Sequence, residues 1–64
     1  MVTEAIQEKF YETFKAGQEL TVMKLVNVLK ISRPTATNLI YKLIDDGKIY
    51  IKIERSRQNV YVIR

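Results

Sequence analysis

The segment Ser32-Arg33-Pro34-Thr35-Ala36-Thr37-Asn38-Leu39-Ile40-Tyr41-Lys42-Leu43-Ile44-Asp45-Asp46-Gly47 reads as one complete helix, punctuated at both ends. Ser32 offers a side-chain oxygen to the free amides of the first turn. Arg33 and Pro34 stand where a missing N–H costs nothing, and Gly47 suits the left-handed residue that closes a helix. Between these signals Ala36, Leu39, Ile40 and Leu43 recur at helical spacing, with Ile44 at the edge, so one stripe must be buried. At about 100° per residue, Pro34, Asn38 and Tyr41 point away from that stripe, flanked by Thr35, Thr37 and Lys42, with Arg33 in the first turn. This face is polar and largely uncharged, with a basic fringe. A helix face that merely meets water more often carries Glu and Lys pairs; Asn, Thr, Tyr and Arg are the side chains that read base edges and hold phosphates.

Composition bounds what surrounds this helix. Sixty-four residues make one small domain, near the lower size at which a chain folds without staples, so nearly every apolar residue must serve a single core. With 47% hydrophobic and 28% charged residues the chain is globular. No apolar run approaches membrane-spanning length, and Glu4 and Glu8 stand where a secretory leader would be basic and then apolar, so a cytoplasmic location is expected, away from membranes. The sequence has no Cys and no His, which removes disulfides, thiolate chemistry, the commonest general base and the usual zinc ligands. Formal charge is uneven. Residues 1–19 carry two Lys against four Glu, whereas residues 20–64 carry nine Lys or Arg against three acids. The positive part coincides with the polar-faced helix, which suggests a polyanion partner.

Working outward, a first helix is predicted over about residues 3–15. Val2, Ile6, Phe10 and Phe14 form its stripe, widened by Ala5, Tyr11 and Thr13, and Glu4, Glu8 and Glu12 line the solvated side. Gly17 ends it and opens a connection, Gly17-Gln18-Glu19-Leu20, in which Leu20 turns inward. Thr21 is a plausible N-cap for a second helix over about 22–30, with Val22, Leu25, Val26 and Leu29 as its stripe. Only Lys30 and Ile31 separate that helix from Ser32. A connection so short makes the steep elbow of a helix-turn-helix, with Lys30 where a Gly is more usual and Ile31 as its plug.

After Gly47 the period changes from 3.6 to 2. Ile49, Ile51 and Ile53 alternate with Tyr50, Lys52 and Glu54 in a half-buried strand over about 48–54, and Val60-Tyr61-Val62-Ile63 forms a second over about 59–63. The two pair as a hairpin with a basic tip at Arg55 and Arg57. The last strand is apolar on both faces. Either Tyr61 and Ile63 or Val60 and Val62 face the core, and the other pair must be covered by the Leu20 segment, by a partner chain, or not at all.

Other chemistry is scarce. Asp45 and Asp46 point about 100° apart and make no acid–base dyad, and no phosphate loop, nucleophile elbow or metal-ligand spacing is present. Ser32-Arg33-Pro34-Thr35-Ala36, then Leu39, Leu43 and Gly47, and finally Arg57-Gln58-Asn59-Val60-Tyr61 resemble the C-terminal winged-helix domain of many Fic-domain (filamentation induced by cyclic AMP) proteins. More loosely, the same residues resemble the DNA-binding core of bacterial winged-helix repressors. The resemblance covers about residues 20–63. It implies an α+β winged helix-turn-helix: a three-helix core followed by a two-stranded β-hairpin wing. The Fic nucleotidyl-transfer activity does not carry over, because its His-Pro-Phe loop cannot exist without His.

The expectation is therefore a sequence-specific binder of double-stranded DNA, a transcription regulator and not an enzyme, with no cofactor, metal or small-molecule ligand. Arg33, Thr35, Thr37, Asn38, Tyr41 and Lys42 face the major groove, Asn38 suited to adenine and Arg33 to guanine or a phosphate. Arg55 and Arg57 lie on the backbone or in the minor groove, and Thr21 and Lys24 meet a phosphate. A weak homodimer is expected through the surplus face of the last strand or through the first helix around Tyr11. The competing reading is a protein-interaction or dimerisation module, free-standing or an accessory domain of a larger Fic-type protein.

Overall fold

The computed structural model describes residues 4–53 and 59–64; Val2, Glu54, Arg55, Arg57 and the tip of the predicted hairpin lie outside the described residues. The elements run α1 (Glu4–Thr13), β1 (Glu19–Leu20), α2 (Val22–Leu29), α3 (Arg33–Asp45), β2 (Ile49–Ile53) and β3 (Val60–Ile63). The result is a small α+β fold of three helices and a three-stranded antiparallel sheet in the order β1-β3-β2.

The caps explain where the helices stop. Thr21 Oγ1 accepts from the Lys24 amide at 3.1 Å and opens α2. Ser32 Oγ accepts from the Thr35 amide at 3.3 Å and donates to Thr35 Oγ1 at 2.9 Å, opening α3 with Pro34 in its first turn. At the far end Gly47 takes φ +72°, its amide donates to the Ile44 carbonyl, and the Lys48 amide donates to the Leu43 carbonyl. This paired closure satisfies carbonyls that a helix end otherwise leaves open.

The core gathers one stripe from each helix and one face of the sheet. Phe10, Phe14, Leu20, Leu25, Leu29, Ala36, Leu39, Ile40, Leu43, Ile49, Tyr61 and Ile63 are buried together, with Ile6, Val22, Val26, Ile31 and Ile44 packed against them. Phe10 stacks against Phe14 with ring centroids 5.2 Å apart. No helix among the described residues is long and apolar enough to cross a membrane.

Four expectations need correction. The Gly17–Leu20 connection ends in a strand: Glu19 pairs with Val62 and Leu20 with Tyr61, so the sheet has three strands where the sequence suggests a two-stranded hairpin. Two residues are too few to show alternation, and backbone pairing with β3 alone makes them a strand. On α1, Ala5, Tyr11 and Thr13 are exposed and do not widen the stripe; the helix ends at Thr13, whose hydroxyl donates back to the Lys9 carbonyl. Ile51 shares the core-side face with its partner Tyr61, yet is 44% exposed, and the strand's pairing with β3 shifts register just after it, between Ile51 and Ile53. The last strand, finally, has no surplus apolar face. Tyr61 and Ile63 point into the core, and Val62, on the opposite side, is only 8% exposed. Its register partners are Glu19 and Tyr50, and the Lys52 ammonium reaches across β3 to the Glu19 carboxylate at 2.5 Å. That pair holds the Glu19 carboxyl below its ordinary range and the Lys52 ammonium above its own, the hydrogen bond between them being the larger cause. Arg64 lies over the Tyr50 ring at 5.1 Å and extends the cover.

The elbow between α2 and α3 contains a conformational cost. Lys30 adopts φ 59° and ψ 44°, the left-handed region, and is the only non-glycine among the described residues with positive φ. For a residue with Cβ this conformation costs roughly 1–2 kcal/mol, of which the extra freedom glycine gives the unfolded chain would take back about 0.4–1 kcal/mol. Lys30→Gly should therefore raise the melting temperature by about 3 °C, and Lys30→Val should lower it. A glycine variant melting below the unmutated chain would show that the lysine side chain supports the turn.

Candidate nucleic-acid interface

The burial of Ala36, Leu39, Ile40 and Leu43 fixes the roll of α3 and so decides which side chains it presents. Arg33, Pro34, Asn38, Tyr41 and Lys42 are exposed, and Thr35 and Thr37 are half-buried. Tyr41 is the most open of the large apolar side chains among the described residues, at 61%. Arg33 and Thr37, Pro34 and Asn38, and Asn38 and Lys42 are four residues apart, one above the other along the helix. The steep turn at Lys30 brings the start of α2 beside the start of α3. Val22, Arg33, Pro34, Thr37 and Asn38 line one open concavity of about 560 Å³.

The polar groups here differ in how committed they are. Arg33, Asn38 and Tyr41 make no side-chain hydrogen bond or ion pair among the described residues. The Thr35 hydroxyl is joined to Ser32 in the helix cap. Lys42 pairs with Asp46 at 3.8 Å, an exposed i,i+4 contact of small worth that a stronger anion would displace. Thr21 caps α2, and its hydroxyl hydrogen remains able to donate. Lys24 extends away from the concavity: its ammonium lies 3.5 Å from the Glu19 carbonyl and 6.0 Å from the Phe14 ring centroid.

Electrostatics favour an anion at the start of α3. No acidic residue occupies its first turn, where free amides place partial positive charge. Its carboxylate, Asp45, and the neighbouring Asp46 come at the opposite end, roughly 18 Å along the axis from Arg33. No group of three or more His, Cys, Asp or Glu among the described residues could hold a metal ion.

Sequence reasoning missed the contribution of Val22 and the lining role of Pro34. Val22 carries the periodicity of a core residue, and its half-exposed position at the rim depends on the angle between α2 and α3, which spacing does not encode. Arg55 and Arg57 lie outside the described residues. A scan against protein-family models finds no match to this chain, and no curated protein matches it.

Proposed function

We propose that the chain is a winged helix-turn-helix that binds double-stranded DNA in the cytoplasm and regulates transcription. The observation that carries this reading is the outer face of α3: Arg33, Asn38 and Tyr41 stand exposed, unpartnered among the described residues, on a surface free of carboxylates over its first three turns. Inserted N-terminus first, α3 sets Asn38 to donate to adenine N7 and its exocyclic amine to bond the side-chain oxygen, and sets Arg33 against guanine or a phosphate. Thr35, Thr37, Tyr41 and Lys42 flank those contacts. Val22 and Pro34 supply apolar surface beside them, where a thymine methyl packs well. Thr21 approaches the backbone from the start of α2, Lys24 reaches it by leaving the Glu19 carbonyl it lies against, and Arg55 and Arg57 meet the backbone or the minor groove. Asp45 stays clear of phosphates because only the N-terminal part of α3 enters the groove.

The direct test is a titration of fluorescently labelled random duplex with the purified chain at about 50 mM salt. Non-specific binding in the range of about 1–100 μM is expected at physiological salt, and tighter binding at 50 mM. No change in anisotropy up to the solubility limit would end the DNA reading and leave a docking module in its place.

A further inference from the structure

Taking duplex DNA as the partner of α3, as proposed above, we infer that Val22 and Pro34 form a seat for the C5-methyl group of a pyrimidine in the major groove. The chain then distinguishes thymine from uracil, and 5-methylcytosine from cytosine. Val22 is the first residue of α2 and Pro34 the second of α3, and both line the concavity that also holds Arg33, Thr37 and Asn38. The core does not use them up: Pro34 is exposed, and Val22, though packed against the core cluster, is only half-buried. Both side chains are stiff, Pro34 through its ring and Val22 through its branched Cβ, so a surface made of them loses little freedom when something is set against it. The Ser32 cap fixes the backbone at Pro34, and the Thr21 cap does the same at Val22.

The occupant follows from what a base pair can offer. In the major groove the four base pairs show hydrogen-bond donors and acceptors and one apolar group, the methyl of thymine. Arg33, Thr37 and Asn38 answer the polar groups, and the methyl is the group that matches Val22 and Pro34. No Asp or Glu lines the concavity, and those are the side chains that accept from the cytosine amine. Unmethylated cytosine therefore leaves the apolar pair facing water, whereas 5-methylcytosine carries the methyl at the same ring position as thymine. Pro34 precedes Asn38 by four residues, about 6 Å along α3. That distance is one to two base-pair steps of about 3.4 Å, so the methyl belongs to a pair close beside the adenine that Asn38 reads.

The test uses a duplex that the purified chain selects from a random pool, with each thymine replaced in turn by deoxyuridine, which lacks only the methyl. One such replacement should weaken binding by about fourfold, the worth of one buried methyl group. At that position a cytosine–guanine pair should bind more tightly, by a similar factor, when the cytosine carries a C5-methyl. Pro34→Ala should bring both ratios toward one with an unchanged far-ultraviolet spectrum, because alanine suits the first turn and no cap bond is lost. Val22→Thr keeps the shape of the side chain at a half-buried site and should narrow the ratios too; it decides the matter if Pro34→Ala alters the fold. A selected duplex in which no thymine responds to deoxyuridine would overturn the inference and leave DNA binding standing. So would binding without sequence preference, cytosine methylation without effect at the responding position, or ratios that survive in the folded variants. A chain that binds no duplex at all would end the DNA reading itself, and the methyl seat with it.

Discussion

Replacing Leu39 by alanine should leave much of this domain unfolded at room temperature. Leu39 is fully buried at the middle of α3, in the cluster where all three helices and the sheet meet. Truncating such a leucine costs about 2–5 kcal/mol, from lost transfer energy and from the cavity left behind. A chain of this length has on the order of 3–10 kcal/mol of total stability. The loss is therefore comparable to the whole margin, and a thermal melt should show the transition lowered by more than about 10 °C or absent. Phe10→Ala should act similarly, since Phe10 is also fully buried and is part of the same core cluster. Tyr11→Ala, at 46% exposure on the same helix, should change little by comparison. A Leu39→Ala chain that melts like its parent would mean that the buried and exposed sides of α3 are reversed, and would remove the basis for every site residue placed on the opposite face.

The contrast between Phe10 and Tyr11 also shows where the sequence is informative. Capping chemistry is local: Ser32, Pro34 and Gly47 act within a turn of their own position, so both ends of α3 are legible from residue types alone. The stripe of α3 is equally plain because its apolar and polar residues separate cleanly. The width of a buried stripe is another matter. It is set by what packs against the helix: α1 presents Ile6 and Phe10 to the core, Phe14 follows just beyond its end, and Tyr11 is left outside. The same limit applies to Ile51. Alternation identifies its face but not the register shift that follows it, between Ile51 and Ile53, nor how much of that face the rest of the chain covers. Strand β1 is invisible to periodicity because it has two residues, and its existence depends on β3, some forty residues later. For the candidate site, the polar side of α3 could be read directly from the sequence. Val22's share in it could not, because the angle of the elbow at Lys30 brings the two helix starts together.

Salt dependence and two kinds of mutant should separate DNA reading from protein docking by the largest margin. If Arg33, Lys42, Arg55 and Arg57 together neutralise about four phosphates, log affinity should fall against log salt with a slope near −3.6, roughly a hundredfold or more between 50 mM and 200 mM. Charge reversal at Arg55 and Arg57 should flatten that slope and weaken binding to every duplex alike, since phosphate contacts position a protein without reading sequence. Asn38→Ala should leave the slope unchanged. Asn38 is exposed and its side chain makes no hydrogen bond or ion pair among the described residues, so its removal should leave α3 in place. What it removes is a base-edge contact worth about 1–3 kcal/mol of discrimination, and the preference for a selected duplex over a random one should narrow by about 5- to 150-fold. The experiment is one matrix: the parent and two variants, on one random and one selected duplex, across a salt series. Parallel losses in both variants on both duplexes would end the assignment of Asn38 as a base reader while leaving the DNA reading intact. A slope near zero would show that the basic residues do not meet phosphates, and the polar face of α3 would then be a surface for another protein.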